Sequence, residues 1–339
     1  MDAERRPLGR RGLSITRLGF GAWSIGGPGL EYHGTAQRDA ESVRAMLHAF
    51  ERGVGWIDTA PIYGNGHSED LVGRALKAVR GDRPLVFTKC GRLWDSPESA
   101  PRSDLRPSAI RSGCEASLRR LGVDAIDLLQ FHWPDRDTDV PVEESWGEMM
   151  RLIDEGKIRS AGVCNFDRPL LERCEAVGHV DCLQTPLSLI VRDSAGGLIQ
   201  WCAEHRVGVI VYSPMQVGLL TDTFSVGSVA GFEPDDWRRN DPEFRSPRLE
   251  RNLALRDALR PIAEAHSSTV AAIAVAWTLA WSQVTGAIVG ARTPDQVEGW
   301  IGAGAVHLSR AELEAVAEAL VSTGAGRGPL APGPYAAVD

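Results

Sequence analysis

Lysine is nearly absent from this sequence. The 339 residues contain 37 Lys plus Arg, and lysine stands only at Lys77, Lys89 and Lys157, which leaves 34 arginines. Where a generic positive charge was needed the chain used arginine, so a retained lysine marks a candidate position that a planar fork of donors cannot fill. Positive charge is also outnumbered: with 45 Asp plus Glu the formal net charge is -8. That balance argues against a nucleic-acid partner, which selects for clustered basic surface. Cysteine is sparse and unpatterned. Cys90, Cys114, Cys164, Cys174, Cys182 and Cys202 contain no C-x-x-C and mostly sit in apolar segments. They read as reduced thiols of a cytoplasmic protein, not as a zinc site or disulfide framework. No apolar run is long enough for a bilayer: residues 270–281 fall short of the roughly 20 required. Residues 1–6 are charged and lack the apolar core of a signal peptide.

What is present is alternation. Short apolar runs at 17–21, 55–59, 85–89, 126–132, 158–164, 182–184, 208–213 and 287–290 predict strands, too apolar for a sheet with one wet face. Helical spacing lies between them, as in Ile110, Cys114, Leu118 and Leu121, or Trp146, Met149, Met150 and Ile153. Eight such units match an α/β fold, the (β/α)8 TIM barrel, whose active sites lie at the C-terminal strand ends. The rival open sheet expects a G-x-G-x-x-G turn, and Gly19-Phe-Gly21-Ala-Trp-Ser24 breaks that pattern at its last position. We expect one barrel domain over 1–323. Residues 8–14 should form a hairpin under the barrel floor, 221–251 a long loop after the seventh strand, and 324–339 a flexible Gly/Pro/Ala-rich tail.

Four titratable groups fall at the C-terminal ends of expected strands: Asp58, Tyr63 just beyond, Lys89 and His132. Each alone has an ordinary alternative, as a helix cap, a loop tyrosine or a core histidine. Together at one rim they make coherent chemistry. Free tyrosine, with a pKa of about 10, is a poor proton donor at neutral pH. A nearby ammonium favours its phenolate and a carboxylate holds that ammonium in place. An imidazole can hydrogen-bond a carbonyl oxygen.

These residues resemble the aldo-keto reductase superfamily over nearly the whole chain, most closely its bacterial, general-stress-type members. The resemblance rests on Asp58-Thr-Ala-Pro-Ile-Tyr63-Gly with Gly66-His-Ser-Glu69, on Phe87-Thr-Lys-Cys-Gly91, and on Phe131-His-Trp-Pro-Asp135. It extends through Gly162-Val-Cys-Asn-Phe166, Tyr212-Ser-Pro-Met215 with Gly218-Leu-Leu-Thr221, and Gly290-Ala-Arg-Thr-Pro-Asp-Gln296. It implies hydride transfer from NADPH, with NAD possible, to an aldehyde or ketone. Tyr63 would be the acid, Lys89 would lower its pKa, Asp58 would anchor Lys89 and His132 would orient the carbonyl. Asn165 and Gln184 would bind the nicotinamide carboxamide and Tyr212 would stack on its ring. Gly21, Ala22, Trp23, Ser213, Pro214, Met215, Gly218, Gly290 and Gln296 would complete the cofactor site, and Arg292 would read the 2′-phosphate. Trp23, Trp94 and Trp133 would wall the substrate, a small carbonyl or alcohol compound that is apolar or ring-shaped. Two departures stand out: Cys164 replaces a usual Ser, and Gly299-Trp300 replaces a Glu-Asn pair that grips adenine. A nucleotide-sensing regulatory subunit and a Schiff-base lyase using Lys89 are the rival functions. No metal or membrane partner is expected, and the chain is read as a monomer or small homo-oligomer.

Overall fold

The computed structural model describes residues 4–26, 36–95, 100–232 and 236–333. Eight parallel strands close into a barrel: β1 (Leu18–Gly21), β2 (Trp56–Asp58), β3 (Leu85–Cys90), β4 (Leu128–Phe131), β5 (Ala161–Cys164), β6 (Cys182–Pro186), β7 (Gly208–Tyr212) and β8 (Gly286–Gly290). Each pairs with the next, and β8 returns to β1 with Ile288 opposite Gly19. Every expected strand is a barrel strand. The fourth and fifth start later than expected, because Ile126 and Ile158 form only an isolated bridge to each other beneath the barrel. Outside the barrel lie α1 (Ala36–Glu51), α2 (His67–Ala78), α3 (Pro107–Leu121), α4 (Val142–Asp154), α5 (Arg168–Glu175), α6 (Leu198–Glu204), α7 (Val270–Leu279) and α8 (Pro294–Ile301).

The two-residue period of the strands sorts their side chains. Ile57, Val86, Leu129, Val163, Leu183, Val211 and Val289 face outward into the main core beneath the helices. Trp56, Phe87, Leu128, Cys182, Ile210 and Ile288 form a separate cluster inside the barrel, joined by Leu8, Leu13 and Ile15 of an antiparallel hairpin (Arg5–Leu8 with Leu13–Thr16). The expected hairpin therefore plugs the floor, and Trp56 Nε1 donates to Thr16 O at 2.9 Å. Gly19 exists to admit that indole, since a Cβ there would overlap the Trp56 ring. Two residues above this apolar layer the same strands carry Asp58, Lys89, Gln130, Gln184 and Tyr212, and β5 adds Cys164. The chain thus places its polar groups one layer up from a sealed floor.

Helix patterning holds with one shift. In α3 the buried residues include Ile110, Cys114 and Leu121, and Gly122 ends the helix at φ 67°. In α4 the buried residues include Trp146, Met149 and Leu152, with Met150 and Ile153 partly buried against the core. Among its described residues, the long segment after β7 carries a short helix (Val226–Ala230), tight turns at Trp237–Arg239 and Pro242–Phe244, and two further helices before α7. Phe224, Phe232, Phe244 and Trp237 pack edge to face within it. Of the expected tail, residues 334–339 lie outside the described residues. Residues 324–333 run against the loop after β6: Ala325 is buried, and Arg327 N and O bond Ile190 O and Arg192 N at 3.0 Å. This part of the chain is anchored by backbone pairing that composition did not reveal.

Candidate active site

Asp58, Lys89 and the tyrosine meet because β2 and β3 are neighbours in register, Asp58 opposite Phe87. Lys89 is 1% exposed, and its three ammonium donors are all engaged: Asp58 Oδ1 at 2.5 Å, Thr59 O at 2.9 Å and Tyr63 Oη at 3.1 Å. His132 follows β4, its N–H donating to Cys90 O, and its ring meets the half-buried Tyr63 edge to face at 5.7 Å.

Burial is the largest influence on the Tyr63 phenol and pushes its pKa up to about 12; Lys89 pulls it down and Asp58 opposes that pull. Burial works against the Lys89 ammonium too, yet Asp58 and Tyr63 outweigh it and the lysine titrates above its ordinary range. Burial, with Lys89 and Arg92 nearby, drives His132 well below the usual imidazole pKa, so it is neutral. The arrangement is a protonated phenol bonded to a fixed ammonium, beside a neutral imidazole.

These groups open into a cleft of about 940 Å³ across the C-terminal strand ends, the size range of nucleotide sites. Gly21, Trp23, Asp58, Tyr63, His132, Trp133, Asn165 and Gln184 line it at one end. Tyr212, Ser213, Pro214, Met215, Gly218, Gly290, Arg292 and Gln296 continue it. Two expected members do not. Ala22 is fully buried, its backbone tied to Asp58 and Ser68, and Trp94 lies off the cleft, just past the short strand Arg92–Leu93 that pairs with Ser103 and Arg102. Lys89 sits behind Tyr63 instead of facing the opening. Cys164 is buried, directs its thiol at Gln130 Oε1 3.7 Å away, and does not line the cleft.

Some expected ligand groups are already partnered. Asn165 donates to His132 O at 3.2 Å and accepts from Tyr212 Oη at 2.8 Å. Gln296 Oε1 accepts from Arg292 N at 2.7 Å, so this side chain braces the start of α8. Asn165, Ser213, Gln216 and Val217 have φ between 47° and 61°, a left-handed conformation costly for a β-branched residue and concentrated at this rim. Residues beyond the expected set also line the cleft, among them Phe224, Asp236, Trp237, Arg238 and Trp300. The long loop supplies most of these; its length pointed to a role, but no spacing told which side chains turn inward. Arg238 is held by Asp236 at 2.6 Å and lies over the Phe232 ring at 4.0 Å. His132 Nδ1 and Trp300 Nε1 are buried without a protein partner. With the Arg292 guanidinium at the same cleft, these orphaned groups fit a nucleotide cofactor.

A closed parallel barrel with a Tyr–Lys–Asp relay and a nucleotide-sized cleft at its mouth defines a TIM-barrel oxidoreductase. The sequence model of the Aldo/keto reductase family matches residues 17–321, and the chain belongs to that family. It is accordingly an NAD(P)H-dependent oxidoreductase acting on carbonyl or alcohol groups. An NADH-specific methylglyoxal reductase of Escherichia coli (strain K12) is 32% identical over 93% of this chain and 98% of its own. An aldo-keto reductase of Bacillus subtilis (strain 168) is 34% identical over 85% and 84%. The solved structure of a glycerol dehydrogenase from Gluconobacter oxydans superposes with a TM-score of 0.88 at 34% identity, covering 99% of this chain and 100% of that one. Among the described residues no helix is long and apolar enough to cross a membrane.

Proposed function

We propose that this protein reduces an aldehyde or ketone to the alcohol with NADPH, or runs the reverse, with Tyr63 as the proton-transfer group. The observation that carries the reading is Lys89 Nζ, bonded at once to Asp58 and to the Tyr63 hydroxyl. The bound nicotinamide supplies the hydride. The Tyr63 hydroxyl gives its proton to the carbonyl oxygen as negative charge develops there, and the ammonium 3.1 Å away stabilises the phenolate left behind. Asp58 and Thr59 O fix that ammonium, and the neutral His132 offers an N–H to the same oxygen. The lyase alternative has no support, since a lysine whose three donors are engaged has no free lone pair to attack a carbonyl.

Trp23 and Trp133, two of the indoles at the cleft, are 42% and 45% exposed and offer ring faces to an apolar or ring-shaped substrate. Named activities of the relatives, on methylglyoxal and glycerol, favour small carbonyl and alcohol compounds. For the cofactor, Arg292 donates through Nε to Ser24 O at 3.3 Å and sits close enough to Arg238 to feel its charge, a cationic spot suited to a 2′-phosphate. NADH is the second reading, favoured by the NADH-specific relative.

Following NADPH and NADH oxidation with a panel of aldehydes and ketones tests the proposal. Turnover with several of them is expected, and tight NADPH binding without turnover would favour a regulatory subunit. Arg292→Ala should weaken NADPH roughly tenfold or more while sparing NADH; equal losses would show that Arg292 does not read the phosphate.

A further inference from the structure

One side chain of the barrel's polar layer has no part in the mechanism above. Gln130, on β4 two residues below His132, is fully buried. Burying a primary amide is costly unless its donors and acceptors are satisfied, and Gln130 finds partners for both its nitrogen and its oxygen within the site. Its Nε2 donates to Asp58 Oδ2 at 3.2 Å. Its Oε1 faces Gln184 Nε2 at 3.2 Å and Cys164 Sγ at 3.7 Å. The amide orientation is forced, because two donors face the oxygen and an ion-paired carboxylate, which can only accept, faces the nitrogen. Gly162 opposite leaves just enough room: a Cβ there would lie 3.2 Å from Gln130 Cγ.

Gln184 follows from the same count. Its Nε2 donates to Asp58 Oδ2 at 2.9 Å as well as to Gln130, which uses both hydrogens of the amide. Gln184 also lines the cleft. Only its Oε1 is left for a ligand, so it can accept from an NH₂ group and cannot donate to a carbonyl. Asp58, meanwhile, is gripped on both oxygens, by Lys89 on Oδ1 and by two amides on Oδ2.

We propose that Gln130 is a positioning residue that joins the two halves of the site, holding Asp58 against Lys89 and turning Gln184 so that only its acceptor faces the cleft. This rests on the reading of Tyr63 and Lys89 given above. Two consequences follow. The amides draw charge from the far oxygen of Asp58, which limits how far that carboxylate cancels the ammonium beside Tyr63. The Gln184 acceptor selects a cofactor that carries a carboxamide NH₂ over one that does not.

Gln130→Met keeps the length of the side chain and removes its hydrogen bonds; Gln130→Leu, also uncharged, serves if the methionine variant fails to fold. The first readout needs no cofactor. The chain has 4 tyrosines, so ring-carbon NMR of ¹³Cζ-tyrosine protein resolves them, and Tyr63→Phe assigns the Tyr63 signal. Either Gln130 variant should move that signal at neutral pH in protein that circular dichroism shows to be folded. The second readout is binding of NADP⁺ against its 3-acetylpyridine analogue, followed by tryptophan fluorescence. Wild type should prefer the carboxamide, and the preference should shrink about fivefold in the variant. Folded variants with an unmoved Tyr63 signal and an unchanged preference overturn the inference while leaving the functional reading intact. Wild type that binds neither cofactor overturns both.

Discussion

Tyr63 is the residue on which the chemistry turns, and its environment fixes the direction of the pH dependence. A phenol whose pKa is raised to about 12 stays protonated through the neutral range. Reduction, which consumes its proton, should hold a plateau from about pH 6 to about pH 9 and fall only toward the phenol pKa, whereas alcohol oxidation, which needs the phenolate, should climb with pH. Initial rates in the two directions check this, and parallel profiles would assign the proton to another group. His132 is held neutral, so no limb should appear near the ordinary imidazole pKa of about 6.5. Tyr63→Phe should cost roughly a hundredfold or more in carbonyl reduction and leave NADPH affinity unchanged, measured by fluorescence titration. Lys89→Met strands a buried carboxylate and should destabilise the fold by about 3–5 kcal/mol. Denaturant unfolding tests that, and partial recovery in Lys89→Met with Asp58→Asn would identify the stranded charge as the cause. At this scale the sequence was legible where side chains project from strand ends, as with Asp58, Lys89 and His132. It was silent on the partners of Gln130 and Gln184, because those bonds join strands 54 and 126 residues apart in sequence.

The strand is the element that made the fold readable. Each barrel strand is largely buried on both faces, so a short run rich in apolar residues marks it, and each of the eight runs overlaps a barrel strand. The period of two then does what composition does not show: it sends Trp56 to the floor layer and Asp58 to the chemical layer from a single three-residue strand. Gly19 tests this layering. Gly19→Ala drives a methyl into the Trp56 indole and should cost about 1–3 kcal/mol, read as a lowered melting temperature. The activity of the folded fraction should stay near wild type, because the disturbance lies below the polar layer. A neutral effect on stability would mean the floor can repack. Elements held by backbone pairing rather than by pattern escaped the sequence. Residues 324–333 are rich in Gly, Pro and Ala, yet Arg327 pairs with the β6 loop because main-chain donors and acceptors there are satisfied by each other whatever the side chains.

Across the whole molecule the barrel separates two faces, catalysis at the C-terminal strand ends and closure at the hairpin floor. The 30 or so residues of the long β7 loop were visible in sequence as an insertion, but the aromatic cluster that gives them shape depends on packing that only the folded chain supplies. The scarcity of lysine acquires a spatial meaning here. Lys77 lies in the last turn of α2, and Lys157 stands four residues before β5 and donates to Glu115 at 2.7 Å, so both belong to the floor side. Lys89 is sealed inside. An amine-reactive reagent applied to the folded protein should therefore mark Lys77 and Lys157 and spare Lys89, as peptide mass spectrometry would show; early loss of activity with Lys89 modified would contradict its burial. A protein tethered to a solid support through its lysine amines would consequently hang floor-down, with the cleft turned to the solution. The same poverty of lysine that singles out one catalytic ammonium gives the molecule a built-in handle on the face where nothing reacts.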